Sequence, residues 1–292
     1  MKMRSEQEMM NSIMDTAKND QRIRAVIVNG SRANPNAKKD FFQDFDIIYV
    51  VTSISSFVSD HSWIRIFGDI MIMQMPKSDR LITDIDDGSF TYLMQFTDGN
   101  RIDLSLVQVD KICFMKRESQ SLLLLDKDGI IEPFPPASDA DFIVTQPTEK
   151  NYNDCCNEFW WICTYVVKGI WRDELPYAMF MYERFLRDML FKMISWYIGI
   201  KTDFSISVGK CGKHFKKYLE AEVWKMYLKT YCDSNYENLW EALFTAGNLF
   251  RMMAEKVADK FGFLYPYNDD RRVTAHLNHV RDLPKTATEM YS

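Results

Sequence analysis

Residues 44–51 read Asp-Phe-Asp-Ile-Ile-Tyr-Val-Val, and this stretch decides the fold of the first half of the chain. Its β-branched and aromatic run from residue 47 onward is typical of a strand buried on both faces. Asp44 and Asp46 stand two residues apart, so a strand projects both carboxylates to one side. Because adjacent carboxylates repel each other, this pair indicates a site where a cation compensates the charge. The alternative is that both acids lie in the loop before the strand and face solvent.

Two further elements support the cation site. The apolar strand 24–29 ends at Gly30-Ser31, where a glycine lets the backbone approach a phosphate and a hydroxyl can bind one of its oxygens. In residues 101–107, apolar side chains alternate with Asp103, which therefore points away from the apolar face. Taken singly, Gly30-Ser31 is as easily an ordinary turn, and Asp103 an ordinary solvent-facing residue. Together, three carboxylates and a phosphate loop supply what two Mg²⁺ ions need to clamp an in-line displacement at phosphorus.

The remaining pattern changes from mixed to helical along the chain. In the first part it predicts a helix opened by a Ser5/Glu8 capping box and running to about residue 18, strands at 69–75 and 122–125, and a hairpin of 90–97 and 101–107. The proline-rich residues 132–148 predict a linker. Helices follow at 152–170, from Pro176 to about residue 198 with an end at Gly199, at 223–231, and at 236–261 with an end at Gly262. The fold class is therefore α+β, a mixed sheet flanked by helices and then an all-α domain.

Composition excludes some classes of protein. Hydrophobic residues form 47% and aromatic residues 14% of the 292 positions, which a disordered chain would not show. The net charge of −5 and the pI of about 5.5 disfavour a nucleic-acid partner. No signal peptide and no run of membrane-spanning length is present, so we expect a cytoplasmic protein with no membrane partner. We also expect six reduced, buried or half-buried cysteines. The oligomeric state stays open, although a monomer is favoured.

The spacing Gly30-Ser31, then Asp44-x-Asp46, then a later strand aspartate resembles the nucleotidyltransferase superfamily with the polymerase-β-like fold. The segments 28–35, 42–46 and 98–104 are similar to those of the aminoglycoside 6-adenylyltransferases, also called streptomycin adenylyltransferases. In the helical half, Glu158-Phe159-Trp160-Trp161, Glu174-Leu175-Pro176-Tyr177-Ala178 and Gly209-Lys210-Cys211-Gly212-Lys213 extend this resemblance over nearly the whole chain.

The resemblance implies a nucleotidyltransferase domain at 1–135, a linker at 136–148 and a helical substrate-binding domain at 149–292. It implies transfer of AMP from Mg²⁺-ATP to the 6-hydroxyl of streptomycin, with release of pyrophosphate. Asp44 and Asp46 would be metal ligands for two Mg²⁺ ions, and Gly30 and Ser31 would bind the triphosphate. Asp103 would touch one metal and accept the proton of the attacking hydroxyl.

Further residues are predicted to bind the two substrates. Arg32 is a candidate phosphate ligand, and Lys210 or Lys213 a candidate for reaching the β- or γ-phosphate from the second domain; each could instead be an ordinary solvated cation. Because streptomycin carries two guanidinium groups, its pocket should offer carboxylates and aromatic faces. The candidates on two helices are Trp160, Trp161, Trp171, Asp173, Glu174, Tyr182 and Glu183. Aromatic residues at helical spacing also occur in a core, which is the competing interpretation.

Other readings remain open from sequence. The acceptor could be another aminoglycoside or a protein hydroxyl, since acceptor choice resides in the helical half. A non-catalytic nucleotide sensor is a second possibility, but it would be expected to lack one of the three aspartates. Two charged clusters are interpreted as ordinary surface: Asp84, Asp86 and Asp87 as a solvated turn, and residues 269–272 as an exposed salt-bridged loop.

Overall fold

The structure is a computed structural model in which residues 2–76, 88–115 and 117–291 are described. The cluster Asp84, Asp86 and Asp87 lies outside the described residues. The chain forms two compact units, Met1–Asp141 and Phe142–Ser292. The division falls inside the segment for which the sequence predicts a linker.

The first unit is built on a mixed sheet with six strands among the described residues. The strands are β1 (Ile23–Asn29), β2 (Phe45–Val51), β3 (Ile70–Gln74), β4 (Ser89–Phe96), β5 (Arg101–Gln108) and β6 (Ser121–Asp126). Their order is β3-β4-β5-β2-β1-β6. Strands β2 and β5 are parallel, and the other neighbouring pairs are antiparallel. The predicted strands and the α+β class are confirmed.

Two helices, α1 (Glu6–Asn19) and α2 (Ser55–Val58), complete this unit, together with 3₁₀ segments at Gly30–Arg32, His61–Phe67 and Val109–Phe114. The predicted capping box opens α1: the amide of Glu8 donates to the Ser5 hydroxyl, and the Glu8 carboxylate accepts from the Ser5 amide. The Tyr49 hydroxyl donates to the carbonyl of Ile13 in α1 at 2.6 Å. One face of β2 therefore packs on α1 in the main core, which leaves the opposite face for Asp46.

The second unit is helical. Its helices are α3 (Glu149–Trp171), α4 (Leu175–Phe180), α5 (Arg187–Lys201), α6 (Phe215–Tyr218), α7 (Ala221–Leu228), α8 (Tyr236–Phe261) and α9 (Tyr267–Asp282). A π-helical segment, Met181–Leu186, joins α4 to α5. Helix α8 ends as predicted at Gly262, which has the left-handed φ of 72°. No helix in the described parts of the chain has both the length and the apolar character needed to cross a membrane.

Some predictions for the second unit differ from the structure in detail, and the helix predicted at 223–231, for example, is α7 and ends at Leu228. Helix α5 does not end at Gly199 but continues to Lys201, and Gly199 instead makes room for the Phe204 ring, which would lie 2.4 Å from an added Cβ. Residues 269–272 are not a loop but part of α9. Asp270 there is 4% exposed and accepts hydrogen bonds from Arg251 at 2.6 Å and Tyr265 at 2.7 Å. Its partners come from α8 and from the segment before α9, so the charge is compensated in the interior.

The cysteines are unpaired, as predicted. Burial differs from the prediction at two of them, because Cys113 and Cys211 are exposed. Burial raises the pKa of the Cys163 thiol, so this group stays protonated and packs as a small apolar residue.

Candidate functional site

Three polar residues form a row across neighbouring strands at one edge of the sheet. In the strand register, Asn29 lies opposite Asp46, and Asp46 lies opposite Asp103. Residues directly opposite each other on neighbouring strands project to the same face, with Cβ atoms about 5 Å apart. The row arises because β2 and β5 run parallel and both begin here, while the antiparallel β1 ends here.

Asp44 adds a further carboxylate next to this row, on the same chain segment as Asp46. It precedes β2 and lies two residues before Asp46, on the side of the strand opposite the buried Phe45 and Ile47. The side chain of Asp44 is 38% exposed and that of Asp103 is 21% exposed. The structure therefore brings the three predicted carboxylates to one half-buried edge, with Asp46 on the strand and Asp44 in the segment just before it.

Gly30 follows β1 directly and has a φ of 69°. A Cβ on this residue would lie 2.4 Å from Oδ2 of Asp46. Its amide donates to the carbonyl of Gln120 at 2.9 Å, so this N–H joins the end of β1 to the residue before β6. The glycine is needed here because its backbone passes against the Asp46 carboxylate, a reason that the sequence did not reveal. Ser31, in the short 3₁₀ turn, is half-buried next to it.

Arg32 does not have the environment of a phosphate ligand. Its side chain is 8% exposed and lies over the Phe45 ring at 3.6 Å. The guanidinium donates to the carbonyl oxygens of Asp44 at 2.9 Å and Gln43 at 2.7 Å. These contacts tie the turn after β1 to the segment that leads into β2. Arg32 therefore positions Asp44, and its guanidinium is engaged in these contacts instead of being open to a phosphate.

The aspartates of the row are half-buried acidic groups held close together, and this raises the pKa values of two of them. Burial, together with repulsion by Asp103 and Asp44, raises the pKa of Asp46 from 3.8 to about 6. Burial also raises the pKa of Asp44, and repulsion by Asp103 adds to this against the opposing effect of Arg101. Glu118, in the loop before β6, adds a smaller repulsion at Asp46. Such a site is costly to ionise without a nearby cation.

Arg101 is the residue that sequence reasoning missed. Its guanidinium donates to both oxygens of Asp103, from Nε at 2.8 Å and from Nη2 at 2.8 Å, and Nε lies 3.7 Å from Oδ2 of Asp44. The sequence contained a pattern that could have indicated it, because an arginine two positions before an aspartate on a strand projects to the same face.

The donor set of this edge suits a hard divalent cation. Mg²⁺ prefers carboxylate oxygens and keeps positions open for phosphate and water. The negative charge of the closely spaced carboxylates is not fully neutralised by the positive groups around them. Within the described residues, however, no three His, Cys, Asp or Glu side chains are already arranged around a common point that could hold an ion. The guanidinium of Arg101 lies among these oxygens instead. The residues fit Mg²⁺ chemically, provided that Arg101 moves.

In the second unit, Lys210 and Lys213 lie in the loop before α6, and both are exposed. Gly209, Cys211 and Gly212 in this loop all have positive φ angles. Lys210 also lines a cavity of about 300 Å³, together with Lys192, Phe191 and Trp196 of α5. A loop with several positive φ angles can turn its amides toward an anion, and the two lysines beside the cavity add positive charge there.

The predicted acceptor residues divide into buried and exposed groups. Trp160 is 2% exposed and donates to Tyr265, and Tyr182 is fully buried and donates to the Thr230 carbonyl. Trp171 donates to the carbonyl of Leu283 and packs on the core. Trp160 and Tyr182 were therefore wrongly predicted as binding residues, because helical spacing alone cannot separate an inward from an outward aromatic face.

The second group of predicted acceptor residues lies at the surface. It consists of Trp161, Asp173, Glu174 and Glu183. Asp173 has a φ of 59° at the end of α3, a position that normally favours glycine. Its Oδ1 accepts a hydrogen bond from the Tyr236 hydroxyl at 2.8 Å. Glu183, in the π-helical segment, lies 3.3 Å from Nε of Arg187. Irregular backbone of both kinds is often found at functional sites.

Comparison with known proteins gives a consistent result. A family model described as streptomycin adenylyltransferase matches residues 3–280. An aminoglycoside 6-adenylyltransferase from Campylobacter jejuni is 41% identical over 270 residues, covering 92% of this chain and 93% of that protein. One from Bacillus subtilis is 38% identical, covering 92% and 95%. A crystal structure of an aminoglycoside 6-adenyltransferase from Bacillus subtilis is 34% identical, covers 96% of this chain and 100% of that one, and gives a TM-score of 0.48.

Proposed function

The chain belongs to the streptomycin adenylyltransferase family, a family of transferases, and on this premise we propose that it transfers AMP from Mg²⁺-ATP to the 6-hydroxyl of streptomycin. The observation that carries the chemistry is the row of Asp46 and Asp103, with Asp44 beside it, at one sheet edge. This edge offers carboxylates next to a turn whose glycine allows close backbone approach.

In the proposed reaction, the acceptor hydroxyl oxygen forms a bond to the α-phosphorus of ATP. The bond from that phosphorus to the bridging oxygen of the β-phosphate breaks, and its electron pair leaves with pyrophosphate. Asp103 accepts the proton of the attacking hydroxyl, and Asp44 and Asp46 hold the cations. Two Mg²⁺ ions, when bound, would neutralise the triphosphate and acidify the hydroxyl, which a carboxylate alone is too weak a base to deprotonate.

The chain itself prepares this edge. Arg32 fixes the segment before Asp44 through two carbonyl contacts, and Gly30 keeps the space in which the Asp46 carboxylate lies. Ser31, beside that carboxylate, is proposed to bind a phosphate oxygen. Lys210 and Lys213 are proposed to bind the β- or γ-phosphate, supported by their exposure and by the positive-φ loop that carries them.

Mass spectrometry of streptomycin after incubation with the protein, ATP and Mg²⁺ tests the function. We expect a product heavier by one AMP unit, together with one equivalent of pyrophosphate. Asp103→Asn should give no product, because the proton acceptor and a metal ligand are lost together. If pyrophosphate is released only with a different acceptor, streptomycin is not the substrate, but the proposed transfer of AMP still holds. Nucleotide binding without any release would favour the non-catalytic sensor.

The exposed acidic group in the second unit is proposed to bind the guanidinium groups of the acceptor. Asp173, Glu174 and Glu183 supply carboxylates, and Trp161 supplies an aromatic face that is 55% exposed. Asp173 is already oriented by the Tyr236 hydroxyl, so little side-chain freedom would be lost on binding.

Asp173→Asn tests this acceptor subsite. Asparagine tolerates a positive φ as well as aspartate does, so folding should be preserved. We expect KM for streptomycin to rise about 10-fold, since one charge-assisted hydrogen bond is lost, with kcat and KM for ATP nearly unchanged. Steady-state kinetics measures all three. Glu222→Gln in α7 removes the same charge where only Lys225 is contacted, and it should leave KM unaltered. An unchanged KM in Asp173→Asn would exclude this residue from the pocket.

A further inference from the structure

Arg101 occupies the same carboxylate oxygens that a cation would use. It donates through two nitrogens to both oxygens of Asp103, and Nε also faces Asp44 at 3.7 Å. A planar guanidinium fork on a carboxylate is the strongest form of such a pair. While this pair is formed, both oxygens of Asp103 accept a hydrogen bond from the charged guanidinium.

The position of Arg101 follows from the strand. It is the first residue of β5 and lies two positions before Asp103, so both side chains project from the same face. Its side chain remains 39% exposed. A guanidinium held at one end by a strand, and half open to solvent at the other, can turn away without disturbing the core.

We propose that Arg101 is an internal counter-ion, which neutralises the aspartate row when no metal is present and must release Asp103 before a divalent cation binds there. This inference rests on the proposed function, because it takes the row to be the cation site. Arg101 then acts as a positioning residue: it keeps Asp103 oriented in the metal-free protein and competes directly with metal loading.

Competition, as opposed to support, follows from charge and space. Each Asp103 oxygen keeps a second lone pair, but the positive guanidinium lies against both oxygens and repels a divalent cation that approaches them. A partly exposed ion pair is weak enough to be displaced by a divalent cation. Removal of Arg101 should therefore strengthen metal binding, whereas a residue that only oriented Asp103 for the metal would weaken it on removal.

The test is Mn²⁺ binding by the full chain without nucleotide, measured by the loss of the free Mn²⁺ signal in electron paramagnetic resonance. For Arg101→Gln we expect binding roughly 3- to 10-fold tighter than wild type, as displacement of an exposed pair no longer opposes it. Thermal unfolding without metal should occur at a lower temperature in this variant, because three carboxylates are left uncompensated, and Mn²⁺ should raise its midpoint more than that of the wild type.

Two further variants make the result decisive. Arg101→Lys keeps the charge but loses the fork, so its Mn²⁺ affinity should fall between wild type and Arg101→Gln, and it remains informative if Arg101→Gln folds poorly. Arg117→Gln removes an arginine that pairs with Glu132 at 3.2 Å, and it should bind Mn²⁺ as wild type does. Equal or weaker binding by both Arg101 variants, or no binding by any protein, overturns the proposal. Formation of the AMP product by wild type is measured separately, so failure of the proposed function would be recognised independently.

Discussion

Asp46→Asn is expected to abolish AMP transfer and, at the same time, to stabilise the metal-free protein. Turnover should fall at least about 10³-fold, since one of the proposed metal ligands is lost. Stability should move the other way, because burial and two neighbouring carboxylates make ionised Asp46 unfavourable in the fold. Asparagine has nearly the same shape and carries no charge.

The pH dependence gives the sign of this effect. The pKa of Asp46 rises from 3.8 to about 6 on folding, so the folded state binds this proton more tightly than the unfolded state does. Below pH 4 the group therefore costs nothing, and between pH 4 and 6 stability is lost as the pH rises. At pH 8 the penalty is fully present in wild type and absent from Asp46→Asn. We expect the variant to melt a few degrees higher in the absence of metal.

Calorimetry at pH 4 and pH 8, with and without Mg²⁺, measures this behaviour. The difference between the two proteins should disappear near pH 4, and Mg²⁺ should stabilise wild type at pH 8 much more than Asp46→Asn. Asp110→Asn is a suitable control, because Asp110 is exposed beyond the end of β5, where its carboxylate accepts a hydrogen bond from the Gln108 amide at 3.3 Å. A metal-free Asp46→Asn that melts below wild type at pH 8 would contradict the electrostatic account.

Local patterns were sufficient to predict the strands and the face of the strand on which each of Asp46 and Asp103 lies. The period of two in β2 and β5 put Asp46 and Asp103 on a polar face, and the Asp98-Gly99 signal located the hairpin that brings β5 into the sheet. Both depend on interactions between residues close in sequence, which is the information that a single chain carries most clearly.

What the sequence did not reveal depends on contacts between distant residues. Asp270 looked like part of a solvated charge run, but its partner Arg251 comes from another helix, 19 positions earlier. Trp160 and Trp161 are adjacent, yet one is 2% and the other 55% exposed, and only the packing of α3 against other helices decides which is buried. For the same reason, the acceptor residues remained candidates, whereas strand parity predicted the face on which the aspartates lie and the family resemblance supplied their proposed roles.

Gly30→Ala is expected to reduce turnover far more than stability. An alanine Cβ would lie 2.4 Å from Oδ2 of Asp46, so the carboxylate must rotate or shift away from its place in the row. A displacement of this size at a reacting centre lowers kcat by roughly 10²-fold or more. The positive φ of 69° adds a backbone strain of about 1 kcal/mol, which should lower the melting temperature by a few degrees.

Gly129→Ala separates the two effects. Gly129 has a φ of 63° in the same unit, and nothing lies within 4 Å of the position of its Cβ. It should therefore lose a similar amount of stability to backbone strain while keeping turnover near that of wild type. Kinetics and thermal unfolding of both variants, compared at equal fractions of folded protein, separate the loss of turnover from the loss of stability. Since a Cβ at position 30 would displace the Asp46 carboxylate, wild-type kcat in Gly30→Ala would mean that this carboxylate does not need its observed place for the reaction.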